Sequence, residues 1–179
     1  DWPPNFRELQ TLVRVKGGKA YFKNGQSKKI DTIILCTGYK HYFSFLPDDL
    51  RLRTENRLAT SDLYKGVVFN PNPAMFYLGM QDQWYSFNMF DAQAWYVRDL
   101  ILGKIVVPDK ASMDLDVATR QKAEERLADN RAGICYQGAY ISELISETDY
   151  PTFDINAANR AFTDYIGHKK KGIMTFRDQ

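Results

Sequence analysis

The fold is decided by the stretch at residues 30–39, which reads IDTIILCTGY. It runs through nearly unbroken apolar residues up to Cys36, and such a run is typical of a strand buried on both faces of a parallel sheet. Glycine at position 38 allows a close approach by a flat ligand or another segment, and Thr37 supplies a hydroxyl. A strand that ends in a plain turn is the alternative. The stretch therefore predicts an α/β sheet.

Two hairpins are predicted upstream of this stretch. The apolar residues Leu12, Val13 and Val15 are separated from the apolar run at 20–22 by Lys-Gly-Gly-Lys at 16–19, and Asn-Gly-Gln at 24–26 follows. Glycine-bearing breaks between short apolar runs are hairpin signals. The first 39 residues are thus expected to be a β-meander that ends in the strand at 30–36.

A strand followed by a helix is predicted downstream. After an irregular segment at 40–72, with a short strand candidate at 66–69, a second buried strand is expected at 74–78, closed by Gly79. Ser86 can cap a helix that reaches Leu102, with Gly103 as its stop. This order resembles a βα unit, in which ligands bind at the carboxyl end of the strand.

The last third of the chain is expected to be a helical appendage. Charged amphipathic patterns predict helices at 112–129, 136–148 and 154–166, the last capped by Asp154.

Composition argues against several classes of protein. The 179 residues suffice for one domain with a core. The 24 basic and 22 acidic residues are interspersed, so no nucleic-acid partner is expected. Two cysteines cannot build a disulfide framework, which fits a reducing cytoplasm. No apolar run reaches the roughly 18 residues of a membrane span. The opening at Asp1, without methionine, suggests a fragment or a processed chain.

Familiar catalytic and cofactor motifs are absent from the sequence. It contains no G-x-G-x-x-G and no P-loop, so no dinucleotide phosphate is expected to be cradled by these residues. It also contains no H-E-x-x-H and no G-x-S-x-G, and His41 and His168 are its only histidines. Hydrolytic and metal chemistry are therefore not expected.

Three stretches resemble flavin-containing monooxygenases. The apolar strand running into Thr-Gly-Tyr at 31–39 resembles the point where the chain of these enzymes and their Baeyer-Villiger relatives returns from the NADPH domain to the FAD domain. The block MFYLGMQDQWYSFNMFDAQ at 75–93 looks like the bacterial trimethylamine monooxygenase branch, as do the segments at 150–154 and 172–178. The resemblance covers essentially the whole chain.

The resemblance implies the C-terminal part of a two-domain Rossmann-like FAD/NAD(P)-binding fold. Residues 1–39 would end the NADPH-binding domain, and residues 40–179 would be the C-terminal part of the FAD-binding domain with a helical extension. It further implies N-oxygenation of small amines by FAD, NADPH and O2, and both cofactor phosphate sites would lie in an upstream half. A sulfide or Baeyer-Villiger oxygenase, or a non-catalytic structural fragment, is the alternative. A homodimer joined through residues 112–166 is also expected.

Site residues are implied in two places. Thr37, Gly38 and Tyr39 would lie near the nicotinamide. Around the turn before the long helix, the candidates for FAD are Gly79, Gln81, Asp82, Gln83 and Ser86. Glycine would admit the flavin, and the Gln83 amide can both donate to and accept from its pyrimidine ring. A role as a solvated turn residue or as the helix cap is the alternative, above all for Ser86.

An aromatic cluster surrounds the same turn. Phe87 and Phe90 are expected to pack in the core, whereas Trp84 is expected to face a dry cavity, where an indole suits a methylated amine. The alternative for Trp84 is also the core. Asp82 is a second candidate for substrate binding. Resemblance of the C-terminal region adds Tyr165 for the substrate and Arg177 for a cofactor.

Overall fold

The chain forms two compact units. The computed structural model describes residues 3–38, 40–54 and 56–178. The first unit consists of residues 1–39 and 167–179, and the second of residues 40–166. Tyr39, a predicted cofactor residue, lies outside the described residues. The predicted boundary between the two cofactor domains at position 39 stays a prediction.

The first unit contains the predicted β-meander. Its strands β1 (Leu12–Lys16), β2 (Lys19–Phe22) and β3 (Ser27–Lys29) pair antiparallel in sequence order. Gly17 and Gly18 have φ of 57° and 69°. Two successive left-handed residues make the tight hairpin turn whose twist matches that of the flanking strands. The first predicted hairpin is thereby confirmed.

The strand predicted at residues 30–36 is wrong for this structure. The segment has no strand conformation, and Ile34 and Leu35 are 83% and 77% exposed. A parallel strand exists only beside a hydrogen-bonded neighbour, and no strand in the described part of the chain pairs with this segment. Both sheets formed by the described residues are antiparallel.

The second unit contains a two-stranded sheet and a shortened form of the second predicted strand. Strands β4 (Leu63–Tyr64) and β5 (Val68–Phe69) pair antiparallel, so β5 lies within the strand predicted at 66–69. The buried strand predicted at 74–78 is reduced to a single antiparallel bridge between Phe76 and Val68. The predicted strand was too long, because an apolar run does not by itself reveal where it has a partner to pair with.

Four α-helices form in the described residues, and local capping chemistry sets most of their ends. They are α1 (Phe87–Ile101), α2 (Lys110–Glu125), α3 (Asn130–Ser146) and α4 (Ile155–Lys171). Side-chain oxygens of Asp109, Asp129 and Asp154 accept backbone N–H groups of the first turns of α2, α3 and α4, each at 2.8 Å. Gly103, with φ of 69°, follows the end of α1 as predicted.

Helix α3 lies at the centre of the main core of the second unit. Ile134, Ile141 and Leu144 are fully buried on one stripe of α3, and α1 packs against it. One face of α3 thus lies against α1, and Gln137 on α3 also contacts the segment that precedes α1. No helix in the described residues has both the length and the apolar character of a membrane span.

Candidate functional site

The segment at residues 79–86, here called the 79–86 turn, joins the Phe76 bridge to α1. At its start Gly79 has φ of 72°, and a Cβ there would lie 2.5 Å from Cε1 of Phe90. The N–H of Gly79 donates to Oε1 of Gln93 at 2.8 Å. Glycine is thus required by the backbone conformation and by the Phe90 ring.

A buried hydrogen-bond network extends from Gln93 to the β4–β5 turn. Nε2 of Gln93 donates to Oε1 of Gln81 and to the hydroxyl of Tyr140, both at 2.9 Å. Nε2 of Gln81 donates to the carbonyl of Gly66 at 2.8 Å, and the Tyr140 hydroxyl donates to the carbonyl of Lys65 at 2.9 Å. Burial raises the pKa of Tyr140, which keeps its proton on the oxygen as a donor. Both ends of the Gln81 amide are therefore engaged within the protein, and its assignment to FAD stays a prediction.

A second glutamine, Gln137 of α3, contacts the next part of the turn. Its Oε1 accepts the backbone N–H of Trp84 at 2.7 Å, and its Nε2 donates to the backbone carbonyl of Asp82. The N–H of Asp82 donates in turn to the carbonyl of Arg57 at 2.8 Å. The Asp82 side chain is exposed and accepts the N–H of Gln83 at 3.0 Å.

A cavity of about 410 Å³ opens beside this turn. It is lined by two residues of the turn and three of α4: Gln83, Trp84, Ala161, Phe162 and Tyr165. Trp84 is half-buried, and Oε1 of Gln83 is buried without a hydrogen-bond partner. The structure thus brings Gln83, Trp84 and Tyr165, all predicted from sequence, to one apolar cavity.

The end of the turn is fixed by Tyr85. The Tyr85 hydroxyl donates to Oδ1 of Asn159 on α4 at 2.6 Å, and its ring lies 4.9 Å from that of Phe162. Burial raises the pKa of Tyr85 to about 12. Ser86 occupies the N-cap position of α1, but its φ is 39° and its side chain makes no capping bond. The predicted cap is correct in position and wrong in its hydrogen bond.

The remaining predicted residues belong to the first unit. Thr37 and Gly38 are exposed there, and a Cβ on Gly38, whose φ is 74°, would meet no atom within 4 Å. Arg177 is exposed, and its guanidinium lies over the ring of Phe176 at 5.3 Å. Their assignment to cofactors stays a prediction.

Sequence reasoning missed the two glutamines that hold the turn. Gln93 and Gln137 are 0% and 1% exposed. A polar residue within a helix is normally assigned to the solvent face, so neither was singled out. The available signal is periodicity: Gln137 lies between Ile134 and Ile141, three and four residues away, on the buried stripe of α3.

An ion network supports the β4–β5 turn next to Tyr140. Nζ of Lys65 donates to Glu143 at 2.8 Å and also contacts Glu147, while Arg120 pairs with Glu143 at 2.8 Å and with Asp116 at 2.9 Å. Burial by itself would raise the pKa of Glu143, but bonding to Lys65 and Arg120 outweighs it and lowers the pKa below its ordinary value. The network holds the turn against α2 and α3.

Known proteins match this chain over nearly all of its length. Residues 9–157 match the family described as FMO-like, Flavin-binding monooxygenase-like. The trimethylamine monooxygenases of Roseovarius sp. (strain 217) and Methylocella silvestris are 60% and 46% identical to it over 178 residues, 99% of this chain. The chain spans 40% of the length of these relatives.

Solved structures agree with the sequence matches. The crystal structure of Tmm from Pelagibacter sp. strain HTCC7211 superposes with a TM-score of 0.87 at 42% identity, covering 99% of this chain and 40% of that one. S-allyl-L-cysteine S-oxygenase from Allium sativum has a TM-score of 0.70 at 21% identity, over 100% of this chain and 42% of that one, and shows the fold alone. The chain belongs to the flavin-binding monooxygenase-like family.

Proposed function

We propose that this chain is the C-terminal part of an FAD- and NADPH-dependent monooxygenase that converts small amines such as trimethylamine to their N-oxides. The observation that carries the proposal is the similarity of nearly every residue of the chain to proteins named trimethylamine monooxygenase. The complete protein would have two Rossmann-like cofactor domains, and its upstream half would bind the cofactor phosphates.

The residues of the 79–86 turn fit a flavin. Oε1 of Gln83 is a buried acceptor without a partner, and the pyrimidine ring of a flavin carries an N–H that can donate to it. Gly79, Gln81, Asp82 and Ser86 of the same turn would complete this part of the FAD site. FAD bound here would supply the redox chemistry of a monooxygenase, in which NADPH and O2 provide one oxygen atom to the amine and the other oxygen atom leaves as water.

The cavity beside the turn fits a small methylated amine. Trp84, Phe162 and Tyr165 give it aromatic walls, which contact methyl groups and favour a cationic amine through the ring faces. With the substrate bound, the same walls would keep water from the place where oxygen is transferred. Asp82, which precedes Gln83 and is exposed, offers a carboxylate that would attract the protonated amine, and the amine must then lose its proton before its nitrogen can accept oxygen.

Residues of the first unit would complete the cofactor sites. Thr37, Gly38 and Tyr39 are assigned to the nicotinamide region and Arg177 to a cofactor. Gly38 supports this assignment because the space around it would admit a flat ligand. No step of the reaction is required of these residues beyond holding NADPH.

The complete protein is also proposed to be a cytoplasmic homodimer. The helices α2, α3 and α4, which the chain adds beyond its strands, are the proposed subunit contact between residues 112 and 166. Both cysteines are free, which fits a reducing compartment. Light scattering of the complete protein at micromolar concentration tests the dimer, and a monomer would contradict it.

Steady-state kinetics with three substrates test the proposed reaction. The complete protein should purify with flavin and oxidise NADPH in the presence of trimethylamine, with a higher kcat/KM than for dimethyl sulfide or a cyclic ketone. The 179-residue chain, incubated with FAD and then freed of unbound FAD by gel filtration, should be colourless, since the upstream half would bind the phosphates. A higher kcat/KM for the sulfide or the ketone would contradict the amine assignment.

A further inference from the structure

We infer that Gln137 is a positioning residue, whose buried amide holds the backbone on both sides of Gln83 and thereby fixes Gln83 and Trp84 at the cavity. The inference rests on the proposed function for the role of that cavity. It goes further because Gln137 itself does not line the cavity.

The bonds of Gln137 replace a missing backbone partner. Residues 80–85 belong to no helix or strand, so their buried N–H and C=O groups need partners from outside regular structure. Oε1 of Gln137 accepts the N–H of Trp84 at 2.7 Å, and its Nε2 donates to the carbonyl of Asp82. One side chain therefore bonds the residues before and after Gln83, as a neighbouring strand would.

Hydrogen-bond chemistry allows only one orientation of this amide. The N–H of Trp84 can only donate and the carbonyl of Asp82 can only accept, so the amide oxygen must face Trp84 and the nitrogen must face Asp82. Gln137 is 1% exposed, and water does not compete for either bond. The amide thus specifies both the place and the direction of the backbone at Gln83.

Helix α3 provides a rigid base for this contact. Ile134 and Ile141, on the same face as Gln137, are fully buried, so the helix cannot rotate or slide without disturbing the core. A Cβ on Gly133, one turn before Gln137, would lie 3.6 Å from Nε1 of Trp84. The indole therefore lies beside α3, and its position relative to α4 depends on the same helix.

Three variants of the complete protein test the inference. Gln137→Met keeps the length of the side chain and removes both hydrogen bonds. Gln137→Glu keeps an acceptor for the Trp84 N–H but places an oxygen against the Asp82 carbonyl. Ile141→Val, one turn along α3, is the matched control, because it weakens the core without changing any bond to the 79–86 turn.

Two measurements are made on each variant. Hydrogen exchange of peptides covering residues 80–86 reports the turn without requiring activity, and steady-state kinetics report KM and kcat for trimethylamine. Gln137→Met should exchange the Trp84 amide at least about tenfold faster and raise KM about 2- to 10-fold. Gln137→Glu should keep most of the protection at Trp84 and give a smaller rise in KM. Ile141→Val should leave the exchange rate of the Trp84 amide and the KM for trimethylamine unchanged.

The outcomes separate this inference from the proposed function. Equal exchange at Trp84 in Gln137→Met and Ile141→Val, or an unchanged KM in Gln137→Met, would overturn the positioning role. If Gln137→Met does not fold, the KM of Gln137→Glu decides, because this variant loses the bond to the Asp82 carbonyl, and a wild-type KM would then overturn the positioning role. Should wild-type protein not act on trimethylamine at all, the proposed function fails, and faster exchange at Trp84 still establishes that Gln137 holds the turn.

Discussion

The two compact units differ in whether their apolar side chains form a core, because the core clusters of the described residues lie in the second unit. In the first unit, Val13 of β1 is 64% exposed and Ile34 is 83% exposed. In the second, Ile134, Ile141 and Leu144 of α3 are fully buried. The meander satisfies its backbone hydrogen bonds locally, but the described residues leave Val13 of β1 uncovered.

The difference between the two units follows from what helices and strands each need from neighbouring segments of the chain. Helices satisfy their backbone internally and need only a partner for one stripe, and α1 and α3 supply each other with that partner. A strand also needs a neighbour for its hydrogen bonds, which the segment at 30–36 lacks here. We therefore expect the stability of the 179-residue chain to come from the second unit.

The largest effect is expected from the core of that unit. Leu144→Ala should lower the free energy of unfolding of the 179-residue chain by about 2–5 kcal/mol, because it leaves a cavity at a fully buried site. Val13→Ala, on the exposed face of β1, should change it by less than about 0.5 kcal/mol. Urea unfolding followed by circular dichroism measures both. Equal losses of unfolding free energy in Leu144→Ala and Val13→Ala would contradict the expectation that the second unit provides the stability.

Two glycines with nearly the same backbone conformation compare the units directly. Gly79 and Gly38 have φ of 72° and 74°, but only at Gly79 would a Cβ strike a neighbour, the ring of Phe90. Alanine at either position should cost about 1–2 kcal/mol for the left-handed backbone. Gly79→Ala should cost about 1–3 kcal/mol more, for the overlap with Phe90. Thermal unfolding of both variants checks this, and a Gly38→Ala variant as unstable as Gly79→Ala would refute the steric reason.

A smaller effect, on function, is expected at Trp84. Trp84→Ala in the complete protein should raise KM for trimethylamine roughly 2- to 30-fold, as expected for the loss of about 0.5–2 kcal/mol of contact with an indole face, with flavin content intact. Trp95→Ala is the matched control, since Trp95 is half-buried on α1 against Tyr150 and Arg98 and does not line the cavity. Unchanged kinetics in Trp84→Ala, or a failure to fold, would make Trp84 a core residue.

The smallest effect is expected from the ion network of the second unit. Since the folded-state pKa of Glu143 is lowered, the stability it provides is present above its ordinary pKa of 4.5 and is lost as the pH falls through the folded value. Glu143→Gln should therefore weaken the loss of stability on acidification below about pH 4.5. The contribution should be about 1 kcal/mol or less, because the side chain is 39% exposed. Urea unfolding of the wild-type protein and of Glu143→Gln, measured from about pH 7 to about pH 3, tests this role. If the free energies of unfolding of the two proteins depend on pH in the same way, Glu143 does not have it.

Local chemistry accounts for what the sequence predicts correctly. The glycine pair at 17–18, the caps at Asp109, Asp129 and Asp154, and Gly103 act on neighbouring residues, so hairpins and helix ends can be read from short patterns. Only Asp154 of these caps was recognised in advance. The helix predicted at 112–129 accordingly begins at Lys110, because Asp109 caps it.

Long-range pairing accounts for what the sequence does not predict. The apolar run at 74–78 gives no indication that Phe76 pairs antiparallel with Val68. In the site, Gln83, Trp84 and Tyr165 were singled out and meet at one cavity, whereas the bonds of Gln137 to residues more than fifty positions away depend on the packing of α3. Such contacts can be identified only when the three-dimensional positions of both partners are known.

The proposal that this chain completes an amine monooxygenase is tested most directly by following oxygen. The complete protein is supplied with trimethylamine, NADPH and molecular oxygen labelled with oxygen-18, and the N-oxide is analysed by mass spectrometry. The proposed function predicts one labelled oxygen atom in each N-oxide molecule and one NADPH oxidised for each. An unlabelled N-oxide, or NADPH oxidation without any N-oxide, would contradict it.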